Sequence, residues 1–181
     1  SRGLGDVYKR QGQEYRLNLG GAYQVTNALT AIEALTCAGV TPAHIAMGIE
    51  RARIPARMEL LPGDILLDGG HNPQAARAVR SALEDSGYER RTAFIGMMNT
   101  KDHRAFLQEI LPCFDRVYFC DGFSEGEVPA EELRRISGLD GAEIFHSPRE
   151  ALKFARRDRE GGLMYFGGSF YFAAAVREYL V

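Results

Sequence analysis

Ile65-Leu66-Leu67-Asp68-Gly69-Gly70-His71-Asn72-Pro73 is the stretch from which the rest of this chain is read. Its apolar triplet predicts a buried strand, because parallel strands covered on both faces are apolar without alternation. The two glycines predict a turn through dihedrals that a Cβ forbids. Asn72 then caps a helix whose first position, Pro73, needs no N–H donor. Asp68 and His71 are thereby delivered to the carboxyl end of a strand, where open α/β sheets bind their ligands.

Toward the carboxyl terminus, strand and helix alternate. A helix over 73–86 has Ala76, Val79, Ala82 and Leu83 inward and Gly87 as its stop. Strands follow at 92–95, 116–119, 143–145 and 163–166, with helices at 102–111, 129–136 and 170–180 and another opened by Ser147-Pro148. Strands spaced by single helices pair in parallel through right-handed crossovers. The expected fold is α/β, a doubly wound and mostly parallel sheet flanked by helices, over residues 55–181.

On the amino side, Met58 to Leu61 is a further strand across the Pro62-Gly63 turn, and Ile54-Pro55-Ala56-Arg57 breaks the rhythm as a domain boundary. Residues 12–54 read as strand, helix, helix. Glu14 to Leu19 alternates and ends at Gly20-Gly21. Ala28, Ile32 and Leu35 lie on one helical stripe, and Thr41-Pro42 opens a second helix through Ile45, Met47 and Ile49. Residues 1–11 lack periodicity and are set aside as a leader or artefact.

Composition narrows the function classes. The 181 residues are 45% hydrophobic and 25% charged with a net charge of −2, so no global basic field points to nucleic acid or to an anionic membrane. No apolar run approaches the roughly 20 residues that span a bilayer. Cys37, Cys113 and Cys120 are odd in number and form no CxxC, so they read as buried free thiols in a reducing compartment.

The candidate site residues each have a functional and a local reading. Asp68 at a strand tip suits two ribose hydroxyls, and His71 near a helix start suits an anion; locally, Asp68 caps its turn and His71 is a polar loop residue. Gly167-Gly168-Ser169 ends the last strand similarly, with Ser169 either an anion ligand or a helix cap. Arg57 at the boundary suits a phosphate; locally it pairs with Glu59 or another acid. Asn27 suits a base edge; locally it is a cap. Lys101-Asp102-His103 suits a catalytic group; locally, and as the better reading, Asp102 starts its helix and Lys101 is solvated. The chain contains neither a GxxxxGK[ST] phosphate cradle nor a GxSxG elbow.

In this order, "GAYQVTNALTAIEAL", "IPARMELL", "ILLDGGHNP", "GMMNTKDH" and "YFGGSFYFAAAVREYL" resemble the carboxyl-terminal part of folylpolyglutamate synthase/dihydrofolate synthase, in the Mur ligase superfamily. The resemblance runs from about Gly12 to Val181. It implies a Rossmann-like glutamate-ligase domain over 55–181, preceded over 12–54 by the strand-helix-helix tail of a central ATP-binding domain. It further implies an upstream domain of the same chain that carries the P-loop and the ligands for Mg2+. By motif position, Asn27, Arg57 and Asp68 bind ATP, while His71 and Ser169 bind L-glutamate; no catalytic side chain and no metal ligand falls within this chain. Tyr23 stands where the family often has histidine, and Gly70 precedes the His-Asn pair.

The implied reaction is cytoplasmic glutamate addition to folate or dihydropteroate through an acyl phosphate, with the 181-residue chain inactive alone. The rivals are another Mur-superfamily amino-acid ligase acting on peptidoglycan precursors and a non-catalytic nucleotide or amino-acid binding module. Ile32, Leu35 and Ile45, cut from their usual cover, are expected to be exposed.

Overall fold

The computed structural model describes residues 6–10, 13–157 and 162–180. The chain divides into two compact units, Ser1–Ile54 and Pro55–Val181.

In the first unit, β1 (Asp6–Arg10) pairs antiparallel with β2 (Gln13–Leu17), followed by α1 (Ala22–Cys37) and α2 (Pro42–Arg51). Residues 6–10 belong to the segment that lacked periodicity. A strand defined by its partner's hydrogen bonds needs no apolar stripe of its own. Residues 1–5, 11 and 12 lie outside the described residues. Gly21 opens α1 at φ 93°, a backbone shape that a side chain rarely tolerates. Tyr15 and Leu17 from β2 bury Ile32, Ile45 and Ile49. The expectation that Ile32 and Ile45 lose their cover is therefore corrected: the β2 face supplies it. Leu35 is exposed as expected; Leu29 and Met47, for which no such expectation was made, are exposed too.

The second unit contains β3 (Glu59–Leu61), β4 (Ile65–Asp68), α3 (Pro73–Glu84), β5 (Arg91–Ile95), α4 (His103–Ile110) and β6 (Arg116–Cys120). It continues with α5 (Ala130–Ser137), β7 (Ile144–Phe145), α6 (Pro148–Arg157), β8 (Leu163–Gly167) and α7 (Phe170–Arg177). The sheet order is β3-β4-β8-β5-β6-β7. All neighbours are parallel except β3, which returns on β4 through the 62–64 turn. The sheet is therefore mixed, with one antiparallel edge.

Both faces are covered, which explains the uninterrupted apolar strands. Ile65, Leu67, Phe94, Tyr118 and Phe166 pack with Ala151, Leu152 and Ala155 of α6 and Phe172, Ala173 and Val176 of α7. Successive strand residues face opposite sides, so Leu66, Ile95, Phe119 and Tyr165 are buried on the side where α3, α4 and α5 lie side by side. Phe94 anchors the first face, stacked at 4.6 Å on Phe166 and at 5.0 Å on Tyr118.

Candidate functional site

The insertion of β8 between β4 and β5 decides where the polar residues meet. Asp68, the last residue of β4, lies opposite Gly167, the last of β8, and Ile95 of β5 lies on the other side of Gly167. The loops after β4 and β8 are consequently neighbours at the carboxyl edge. Their contact is intimate: a Cβ on Gly69 would lie 2.7 Å from the Phe170 ring and 3.0 Å from Phe170 Cα. This corrects the dihedral reading of the glycine pair. Neither Gly69 nor Gly70 has a positive φ; space is what excludes a side chain, since a Cβ on Gly70 would meet Asp68 Oδ1 and Ala75 Cβ. Gly168 does need glycine's freedom, at φ 95°.

Asp68 is 2% exposed, and both of its oxygens are engaged. Gly70 N–H donates to Oδ1 at 2.8 Å and Met58 N–H to Oδ2 at 3.0 Å. Burial pushes its carboxyl above the usual range, opposed by these two donors and by the charges of Arg57 and His71. The carboxylate thus fastens the turn at 55–58 to the tip of β4. Two further bonds hold the same turn: Gly69 N–H to the Ala56 carbonyl at 2.7 Å, and Ala56 N–H to Glu59 Oε2 at 2.9 Å.

That turn is strained. Ala56 and Met58, on either side of Arg57, have φ of 53° and 49°. Non-glycine residues hold such angles at roughly 1–3 kcal/mol each, and only where their surroundings over-determine them. The local pairing of Arg57 with Glu59 does not form. Glu59 instead accepts from Arg177 Nε at 3.1 and 3.2 Å. Arg57 is half-buried and has no hydrogen bond or ion pair among the described residues. Two ordinary-looking residues at left-handed angles, and an arginine from the far end of the chain, carry no local sequence signal; only the break at Pro55 marked the place.

His71 is half-buried, and its Nδ1 lies 3.1 Å from the Gly69 carbonyl. Asn72 caps α3 through Ala75 N–H. Ser169 is 2% exposed and caps α7, its Oγ accepting Tyr171 N–H at 3.2 Å. Beside it, Phe170 and Tyr171 stand exposed. The structure thus brings Arg57, Asp68, His71 and Ser169 to one edge. Asn27 belongs to the first unit. It does not cap α1, whose cap is Gly21 without a side-chain bond. Its Nδ2 donates instead to the buried Gln24 at 3.0 Å, and the residue is otherwise exposed. Asp102 caps α4, and Lys101 is solvated, as the local reading expects.

Among the described residues, one group of His, Asp and Glu side chains is close enough to hold a metal: Asp121, Glu131 and His146. His146 spends Nδ1 on Asp121 at 2.9 Å and faces Glu131 with Nε2 at 3.8 Å. Two nitrogens aimed at two carboxylates make an ion-pair bridge, and Mg2+ prefers an all-oxygen shell. The cluster does not fit that ion. The expectation of three buried thiols is also corrected: Cys120 is buried, Cys113 is partly so and Cys37 is exposed. α1 is apolar around more than one face, which made Cys37 read as interior. Among the described residues, no helix is long and apolar enough to cross a membrane.

A family model described as "Mur ligase, glutamate ligase domain" matches residues 56–170. The chain belongs to this family. Its relatives within the Mur ligases include the folylpolyglutamate synthase of Lacticaseibacillus casei, 27% identical over 198 residues, covering 99% of this chain and 44% of the relative. The UDP-N-acetylmuramate--L-alanine ligase of Psychrobacter cryohalolentis is 30% identical over 158 residues, covering 79% of this chain and 32% of the relative. Among solved structures, E. coli FolC in complex with DHPP and ADP superposes with a TM-score of 0.80 at 25% identity, covering 98% of this chain and 46% of that one. The chain spans less than half the length of these relatives and corresponds to their carboxyl-terminal part.

Proposed function

We propose that this chain is the glutamate-ligating, carboxyl-terminal part of a cytoplasmic ATP-dependent amide ligase that adds L-glutamate to folate or dihydropteroate. The observation that carries the reading is the adjacency of the β4 and β8 tips, with Arg57, which has no partner among the described residues, clamped to the same edge by Asp68. The amino termini of α3 and α7 open at this edge, adding favourable partial charge for an anion.

The chemistry divides among these residues. Amide synthesis requires an activated carboxylate, which ATP supplies as an acyl phosphate. Arg57 meets the ATP phosphates and offsets charge on the phosphoryl group in transit. Asp68 acts on the nucleotide side through the turn it fastens. Asn27, with Nδ2 donated to Gln24, presents Oδ1 to the adenine amino group. Ser169 keeps its hydroxyl hydrogen for a glutamate carboxylate, and His71 contacts the same amino acid. Holding the amine against the activated carbon is the main task of this half. Mg2+ would be held by the ATP-binding region that the resemblance implies upstream, where it would offset phosphate charge.

The test is incorporation of labelled L-glutamate, dependent on ATP and folate, by the full-length polypeptide that carries this chain. The 181-residue chain by itself is expected to incorporate none; turnover by the isolated chain contradicts the proposal. The Psychrobacter similarity favours one second reading, a ligase for nucleotide-linked muramyl substrates. ATP consumption driven by such substrates and not by folates selects it.

A further inference from the structure

We propose that His71 Nε2 is the base that takes the proton from the incoming ammonium group, leaving the free amine that attacks. This rests on the ligase reading above and adds a catalytic duty to what was a binding contact.

The hydrogen bond at the other ring nitrogen sets the tautomer. A carbonyl oxygen only accepts, so Nδ1, at 3.1 Å from the Gly69 carbonyl, carries a hydrogen. In the neutral ring the lone pair then sits on Nε2. No partner for Nε2 exists among the described residues. The Gly69 carbonyl is itself fixed, because Gly69 N–H is bonded to Ala56 and the residue is pressed against Phe170. The imidazole is thus oriented from behind, with its acceptor presented at the edge that also holds Ser169.

The other side chains of the site cannot do this work. Arg57 has donors only. Both Asp68 oxygens already accept backbone N–H groups in a buried setting. Ser169 Oγ already accepts Tyr171 N–H. Asp68 and Ser169 keep further lone pairs, but both side chains are buried, so the half-buried His71 offers the one accessible basic lone pair among the four.

An ammonium nitrogen has no lone pair and cannot attack. Transfer of one proton from R–NH3+ to Nε2 gives R–NH2 and an imidazolium, whose Nδ1–H stays bonded to Gly69. The amine then forms the C–N bond at the acyl-phosphate carbon, the C–O bond to phosphorus breaks, and inorganic phosphate leaves with its electron pair. The second amine proton passes to the departing phosphate or to water. His71 later returns its proton to solvent. No oxidant or further co-reactant is required.

Two measurements decide it. In the 181-residue chain, nitrogen-15 spectra of His71 in its neutral form should show a pyrrole-type Nδ1 and a pyridine-type Nε2; the opposite tautomer overturns the proposal. In the full-length polypeptide, hydroxylamine is a nucleophile that is unprotonated at neutral pH and needs no base. His71→Ala should lower kcat for L-glutamate by about 10²–10⁴-fold, while ATP-dependent hydroxamate formation from the acid substrate changes less than about threefold. His71→Gln, which still hydrogen-bonds, should recover KM for glutamate and not kcat. Equal losses with both nucleophiles, an unchanged kcat for glutamate, or recovery of kcat in His71→Gln each overturn the role of His71 and leave the ligase reading intact. Absence of hydroxamate from the unaltered protein sinks the ligase reading, and this proposal with it.

Discussion

Replacing Asp68 with alanine tests whether one buried carboxylate holds the Arg57 turn. The substitution removes the acceptor for Met58 N–H and for Gly70 N–H, both in a buried setting. Each orphaned donor costs about 1–3 kcal/mol, so the gross loss is about 2–6 kcal/mol. Two effects reduce it. The mutant no longer desolvates a carboxylate, and the Met58 angle relaxes only in part, well short of the about 1–3 kcal/mol such strain holds, because the Gly69–Ala56 and Ala56–Glu59 bonds keep the turn in place. A net loss of about 2–4 kcal/mol is expected from urea unfolding of the chain, together with faster amide exchange at Met58 and Gly70.

The pH dependence carries a sign. Burial raises the folded-state pKa of Asp68 above its unfolded value. Its contribution is therefore fully present below the unfolded pKa and is lost as pH rises through the folded one. The stability gap between the natural protein and Asp68→Asn should narrow over that window. A cost below about 0.5 kcal/mol for Asp68→Ala, with unchanged exchange at Met58, refutes the clamp. A gap that widens with pH means that the backbone donors outweigh burial.

Gly69→Ala places a methyl group against Phe170 Cα, which is backbone and cannot swing away; thermal unfolding should show a loss of about 1–3 kcal/mol. Phe94→Ala empties the centre of the aromatic stack between Phe166 and Tyr118, and urea unfolding should report a loss of about 3–5 kcal/mol. The hydrogen bond from Asp121, then its charge, raise the pKa of His146. That contact stabilises the protein fully below the ordinary histidine pKa, and its contribution disappears as pH rises through the raised one. Asp121→Asn should return the His146 titration, followed by NMR, toward the ordinary value.

The elements were legible wherever one local rule sufficed. Apolar triplets covered on both faces, Pro73 behind Asn72 and the Pro62-Gly63 turn fixed most strands and helices within a residue or two. They also placed Asp68, His71 and Ser169 at strand ends. The strand order was not legible. The last strand enters the middle of the sheet, beside β4 and β5, and no local pattern states which apolar strand takes which slot. The site failed to read at the same level. Glu59 stands two positions from Arg57 and looks like its partner, yet it is taken by Arg177, 118 positions away in sequence. Gly69 looked like a dihedral requirement, yet what forbids a side chain there is Phe170, brought close by the β4–β8 pairing. In both places a local pairing lost to a contact that exists only once the sheet is assembled. A guanidinium with no partner among the described residues is therefore a product of the whole fold: the strained turn carries the half-buried Arg57, Asp68 fastens that turn to β4, and Arg177 takes the acid nearest to it in sequence.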